Sequence, residues 1–140
     1  PAPNWRSQIQ VRCNSHMLNV NAQKLINALR SGKYTQIIGA LHKDAGFCCL
    51  GVACDLFIKE NDTFPGWTKS IWDGFTQSFD DETAVLPDRV RVWLGFRTNQ
   101  GNFTPVEGYF SLASANDSGV SFQEIADMIE AEPDGLFADV

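Results

Sequence analysis

The chain has 140 residues, with 17 Asp and Glu against 11 Lys and Arg for a net charge of −6, and this length suits one folding unit. A hydrophobic share of 44%, with four Trp and ten Phe, excludes disorder and gives core material enough to need neither metal nor disulfide staples. No apolar run approaches the ~20 residues of a membrane helix, and the acidity excludes non-specific nucleic-acid binding through a broad basic surface.

In chain order, residues 1–16 show no helix or strand periodicity. Ser15-His16-Met17 has the form of a cloning-site junction ahead of a start methionine. Residues 1–16 are therefore expected to be a vector remnant or disordered, and 17–140 to form the domain. Without Arg6 and Arg12 there are 9 cations against 17 acids, a net charge of −8. The first helix is predicted from Ala22, Leu25, Ile26 and Leu29 at i, i+3, i+4, i+7, with Asn19 or Asn21 as cap and Gly32 past its end. A second, apolar nearly all round, starts in the uncharged run Phe47 to Cys54 and continues through Asp55 to Ile58; such a helix belongs in the middle of a core. A third starts at Leu86-Pro87-Asp88 and stops at Gly95. The fourth starts at Ser121, paired with Glu124 in a capping box, buries Phe122, Ile125, Ala126 and Ile129, and should stop at Pro133. Between them, Tyr34 to Leu41, Phe64 to Trp72, Phe75 to Phe79 and Tyr109 to Leu112 read as strands separated by glycines. The expectation is a single α+β domain of about four helices packed with a small antiparallel sheet.

Charge is polarised along the chain. No acid precedes Asp44, and from Asp117 onward there are seven acids and no Lys or Arg. Either the two ends face solvent or neutralise one another, or they make an acidic face for a basic partner. Four cysteines without a disulfide-like spacing, and no apolar leader, point to a reducing compartment, with the cytoplasm as expected address.

Three sets of residues can carry chemistry. Cys48, in Phe47-Cys48-Cys49-Leu50-Gly51, stands at a predicted helix start, where a thiolate is stabilised, and His42 is the one histidine in the predicted domain able to serve as its base. The commoner reading of paired cysteines in an apolar run is core packing. Zinc fits poorly, because Cys48, Cys49 and Cys54 lack C-x₂₋₄-C pairs, and neither a metal nor a cofactor is expected. In the second set, Arg30, Lys33, Tyr34 and Gln36 gather cations, a phenol and an amide after a helix, a mixture that holds phosphate or carboxylate. Arg30 and Lys33 equally suit a helix C-terminus with no ligand at all. The third set, Asn116 and Asp117 in Asn116-Asp117-Ser118-Gly119, reads first as a turn and next as part of a ligand site. Neither a phosphate-binding glycine loop nor a G-x-S-x-G element occurs, and Asp80-Asp81-Glu82 lacks the alternating ligands of a calcium loop.

The series Ala28-Leu29-Arg30-Ser31-Gly32-Lys33-Tyr34-x-Gln36, Phe47-Cys48-Cys49-Leu50-Gly51-Val52-Ala53-Cys54-Asp55, Leu86-Pro87 and Asn116-Asp117-x-Gly119-x-x-Phe122-x-x-Ile125-Ala126-Asp127-x-Ile129-Glu130 resembles a group of small uncharacterised proteins of bacteriophages and prophages. It spans nearly everything after residue 16. The resemblance implies a viral or mobile-element origin and a role in an infected bacterium, and it implies no reaction. His42 lies outside the pattern. The expected function is a non-catalytic accessory protein binding a host macromolecule or a small anionic ligand, with no membrane contact and with homo-oligomerisation open. A cysteine-dependent hydrolase or transferase with Cys48 as nucleophile and His42 as base is the enzymatic alternative, and a virion or assembly component the structural one.

Overall fold

A computed structural model of the chain describes residues 18–62, 65–106 and 108–139. The expectation for residues 1–16, and Phe64 at the head of one predicted strand, lie outside the described residues. Helix α1 (Val20–Arg30) starts as its sequence dictates: the Asn19 side chain accepts from the Ala22 N–H at 2.7 Å, and Ala22, Leu25, Ile26 and Leu29 are buried. Short strands follow at β1 (Thr35–Gln36), β2 (His42–Lys43) and β3 (Gly46–Phe47), then the central helix α2 (Cys49–Glu60), in which Cys49 to Cys54 and Phe57 are all buried. Strands β4 (Thr68–Lys69) and β5 (Thr76–Ser78) form a hairpin. Helix α3 (Asp88–Leu94) ends on Gly95 at φ +79, the left-handed position that glycine adopts without a Cβ penalty.

Strands β6 (Asn102–Val106) and β7 (Tyr109–Ser111) pair in a separate two-stranded sheet, and helices α4 (Leu112–Asp117) and α5 (Phe122–Glu130) complete the order. The main sheet runs β1-β3-β2-β5-β4, with β1 and β3 parallel and every other pair antiparallel. The result is one α+β domain with a single core cluster that takes side chains from all five helices. Among the described residues no helix is long and apolar enough to cross a membrane.

Several predicted boundaries shift for local reasons. The stretch Tyr34 to Leu41 shortens to β1 because Gly39, at φ +82, turns the chain away, and the reversal at Asp44, φ +53, creates β2 and β3, which the sequence reading did not assign as strands, having placed Phe47 in the second helix. Leu112, predicted to end a strand, begins α4. Ser111 and Ser114 cap each other there in a box built from serine instead of glutamate. Strand β6 carries Pro105, which argues against a strand except at an edge, and a two-stranded sheet is all edge. At α5 the Ser121 hydroxyl accepts from the Glu124 N–H, but the Glu124 carboxylate bonds the Ser121 hydroxyl at 3.3 Å and not the backbone; the helix stops at Glu130, before Pro133.

Candidate functional site

The two members of the Cys48 and His42 pair sit on opposite faces of the sheet. His42 and Phe47 are cross-strand partners of β2 and β3, and their rings stack at 3.9 Å with 6° between planes. Side chains alternate along a strand, so the next residue, Cys48, turns the other way into the core, where its N–H donates to the Leu41 carbonyl. The His42 Nδ1 lies 2.7 Å from the Gly46 carbonyl, which only accepts, so Nδ1 carries the proton and donates it there. No hydrogen bond joins Cys48 to His42 among the described residues.

Cys48 is the N-cap of α2, its Sγ accepting from the Gly51 N–H at 3.4 Å. Burial pushes its thiol up to about 11, more than the backbone N–H groups at the helix start pull it down. Cys49 and Cys54 are buried too, and desolvation raises both thiols well above the ordinary range. All three thiols pack as small hydrophobes, and no three His, Cys, Asp or Glu side chains among the described residues converge as metal ligands.

The second and third sets of residues divide among three places. Arg30 faces α5: its guanidinium reaches Asp127 at 2.6 Å and Glu130 at 3.1 Å, and these hydrogen bonds raise its already high pKa. The cationic start of the chain and its acidic end meet here. Gln36, Asn116 and Asp117 come together on another side of α2. Asn116 is fully buried; its Oδ1 accepts from Gln36 Nε2 at 2.9 Å and from the Cys49 N–H at 3.1 Å, and its Nδ2 donates to the Ile37 carbonyl at 2.8 Å. Asp117 accepts from the Gly39 N–H at 3.1 Å. With Gln36 also donating to the Val120 carbonyl, these groups close the ends of β1, α2 and α4 on one another and leave no donor of Asn116 turned outward.

Lys33 and Tyr34 reach a third place, an open cleft of about 670 Å³ where the end of α1 meets α2, lined also by Asn27, Ser31, Phe47, Asp55, Leu56 and Lys59. Its polar wall is a network centred on Asp55. The Tyr34 hydroxyl donates to Asp55 Oδ2 at 2.7 Å, Lys59 Nζ lies 3.0 Å from the same oxygen, and Trp67 Nε1 donates to Oδ1 at 3.2 Å. Burial alone would raise the Asp55 carboxyl, but the bonds from Tyr34, Lys59 and Trp67 outweigh it and hold the group below the usual carboxylate range. Tyr34 moves the opposite way: burial, then the Asp55 carboxylate, raise its phenol, so it stays a proton-bearing donor. Lys59 is held charged by Asp55 and Tyr34, and its ammonium sits 5.5 Å from the centre of the Tyr34 ring.

The network rests on aromatic packing. Tyr34 meets Phe47 edge-on at 5.1 Å, and Trp67 packs its ring against both His42 and Phe47. The cleft therefore combines an apolar floor with the cations Lys33 and Lys59 and one carboxylate, Asp55, that is already engaged by three donors. Lys33 makes no ion pair among the described residues. Asp55, Lys59, Phe47 and Trp67 were not in the ligand set read from the sequence. The opposite charges of Asp55 and Lys59 at i, i+4 were the available signal, whereas nothing local links Trp67 to either.

Compared with known proteins, the chain matches the family model described as Domain of unknown function (DUF8296) over residues 17–133. It belongs to that family. No curated protein and no solved structure matches it.

Proposed function

We propose that this member of the DUF8296 family is a non-catalytic accessory protein, of the kind that bacteriophages and prophages encode, and that it binds a small anionic ligand in the cleft between α1 and α2. The motif series from Ala28 to Glu130 supports the viral origin through its resemblance to phage and prophage proteins, and with it a place of action in the host cytoplasm. The observation that carries the ligand reading is Lys33: in a chain of net charge −6, it lines an aromatic-floored cleft without an ion-pair partner among the described residues, beside a second ammonium, Lys59. A bound anion would complete that charge, with the Asn27 side-chain amide also along the wall, whereas the hydroxyl protons of Ser31 and Tyr34 are already given to the Ala28 carbonyl and to Asp55. Catalysis is disfavoured by the placement of Cys48, sealed in the core and turned away from His42.

The test is a thermal-shift titration with inorganic phosphate and a panel of nucleoside mono- and diphosphates. A ligand present at about 100 times its Kd should stabilise the fold by about 2.7 kcal/mol. Lys33→Gln should abolish the shift, and Arg30→Gln should leave it in place, because Arg30 faces α5. A panel in which no anion moves the midpoint would remove the basis for this reading. Docking of a host macromolecule on the acidic face of α5 is less well supported, since Asp127 and Glu130 already hold Arg30.

A further inference from the structure

The polar wall of the cleft between α1 and α2 spends most of its hydrogen-bonding capacity within the chain. Each side-chain acceptor along it already holds a donor. Asn27 Oδ1 accepts from Gln23 Nε2 at 3.1 Å, Ser31 Oγ from the Lys33 N–H at 3.1 Å and the Tyr34 oxygen from Lys59 Nζ at 3.3 Å, while Asp55 holds Tyr34, Lys59 and Trp67. The Asn27 amide N–H groups and the Lys33 ammonium, by contrast, have no side-chain or carbonyl partner among the described residues. A ligand that fits this wall offers it acceptors and brings no donors that need a partner there.

The floor is apolar. Ala28, Tyr34, Phe47 and Leu56 are each half-buried, packed on the core from one side and lining the cleft from the other. A volume of about 670 Å³ suits an organic molecule, and a bare phosphate leaves that floor in water. A nucleoside covers it only by laying ribose hydroxyls beside acceptors that are already engaged, and an unmatched hydroxyl forfeits the gain from burial. Asp55 is balanced by Lys59 at 3.0 Å and, one turn along the same two helices, Lys24 is balanced by Glu60 at 2.6 Å. Lys33 is therefore the cation that an incoming head group meets.

We infer that the ligand class of this cleft is an amphipathic anion: a phosphate or carboxylate head group paired with Lys33, joined to an alkyl or aryl body without hydrogen-bond donors that lies on Ala28, Phe47 and Leu56. This class presupposes that an anion binds here at all, as proposed above, and adds the chemistry of its body. Burial of the body is the larger source of affinity, because an ion pair with one exposed ammonium contributes little in water, whereas each fully buried methylene multiplies affinity roughly fourfold. A body resting on the floor with its outer side in solvent gains about half of that free energy, a factor of about two per methylene. Inorganic phosphate and nucleotides bind the same place, but more weakly.

Isothermal titration calorimetry of the full chain with inorganic phosphate, the n-alkyl phosphates from methyl to hexyl and the alkanoates from acetate to hexanoate tests this. In at least one series Kd should fall about twofold per methylene, on the order of 30-fold from methyl to hexyl phosphate, and the heat-capacity change of binding should grow more negative with chain length. Lys33→Gln should remove binding of inorganic phosphate and weaken the longer chains without changing the slope. Leu56→Gln should flatten the slope and leave methyl phosphate bound as in wild type; if that variant does not fold, the heat-capacity trend in wild type makes the same distinction. Trp72→Ser, at a 91% exposed position between β4 and β5, should leave the slope unchanged. Phosphate binding that gains nothing from chain length in either series would overturn the amphipathic class and leave the anion reading standing, whereas no binding by any anion would remove both. A slope that vanishes with Trp72→Ser, or adenosine monophosphate bound more tightly than hexyl phosphate, would also overturn it.

Discussion

Gly51 is the position at which the geometry makes its sharpest demand. A Cβ added there would lie 1.7 Å from the Leu41 carbonyl oxygen and 2.6 Å from its carbon, against an ordinary contact of 3.4 Å or more. Backbone, not the flexible end of a side chain, stands in the way. Leu41 is fixed on both sides, its N–H donating to the Thr83 carbonyl at 2.7 Å and its own carbonyl accepting from the Cys48 N–H at 3.1 Å. Gly51→Ala must therefore push α2 off the strand end. Breaking the Cys48–Leu41 bond and stranding a buried donor costs about 2 kcal/mol, and the forced shift in a packed core about 2 more. Alanine regains about 1 kcal/mol of helix propensity. The expected net loss is about 3 kcal/mol, or a drop in Tm of roughly 10 °C for a domain of this size. Urea unfolding followed by circular dichroism would show it as a lower midpoint at unchanged m. A Gly51→Ala protein as stable as wild type, or more stable as propensity alone requires, would refute the claim that glycine is there for the close approach.

Three further outcomes follow from the site geometry. Asn116→Ala leaves the Cys49 N–H, the Ile37 carbonyl and Gln36 short of a partner in a buried place, and should cost about 3 kcal/mol by urea unfolding; Asn116→Asp should do no better, since a carboxylate cannot donate to Ile37. Iodoacetamide should label Cys48 slowly in the native chain, with a rate rising toward a midpoint of about 11 and a large increase in urea; a fast phase titrating near neutrality would mean an activated thiol. The folded Asp55 carboxyl is depressed, so its contribution is complete above the unfolded value, near pH 4, and is lost as pH falls below that. Wild type should consequently lose stability more steeply than Asp55→Asn between about pH 5 and pH 3, and parallel curves would show that the Tyr34, Lys59 and Trp67 bonds do not favour the charged form.

Helices α1 and α5 were legible in the sequence because each is amphipathic with a side-chain cap, so periodicity and local hydrogen bonding agree. The central position of α2 was legible as well, from its run of uncharged residues. Helix α4 was not. It is six residues long, its cap is a serine pair, and it buries a polar residue, Asn116, whose partners lie about 70 to 80 positions away. The charge polarity was visible, but that Arg30 resolves part of it through Asp127 and Glu130 depends on the α1–α5 contact, which no local pattern encodes. Of the ligand residues read from sequence, Lys33 and Tyr34 share one cleft, while Arg30 and the Gln36–Asn116–Asp117 group face elsewhere. Residues adjacent in the chain, such as Arg30 and Lys33 around the αL turn at Gly32, are sent to different faces by a helix end.

Helix α1 packs more extensively on α5 than any other two elements pack on each other among the described residues. Helix α1 is thus synthesised well before the helix it packs on. Until Phe122 to Ile129 have been synthesised, Leu25, Ile26 and Leu29 lack the largest part of their cover, which α2 and α3 supply only in part, and pairing segments so distant in sequence carries a large loop-closure cost before any burial offsets it. Nascent chains of this protein should accordingly emerge sticky and depend on prompt completion, and any truncation that removes α5 should aggregate instead of leaving a smaller folded product.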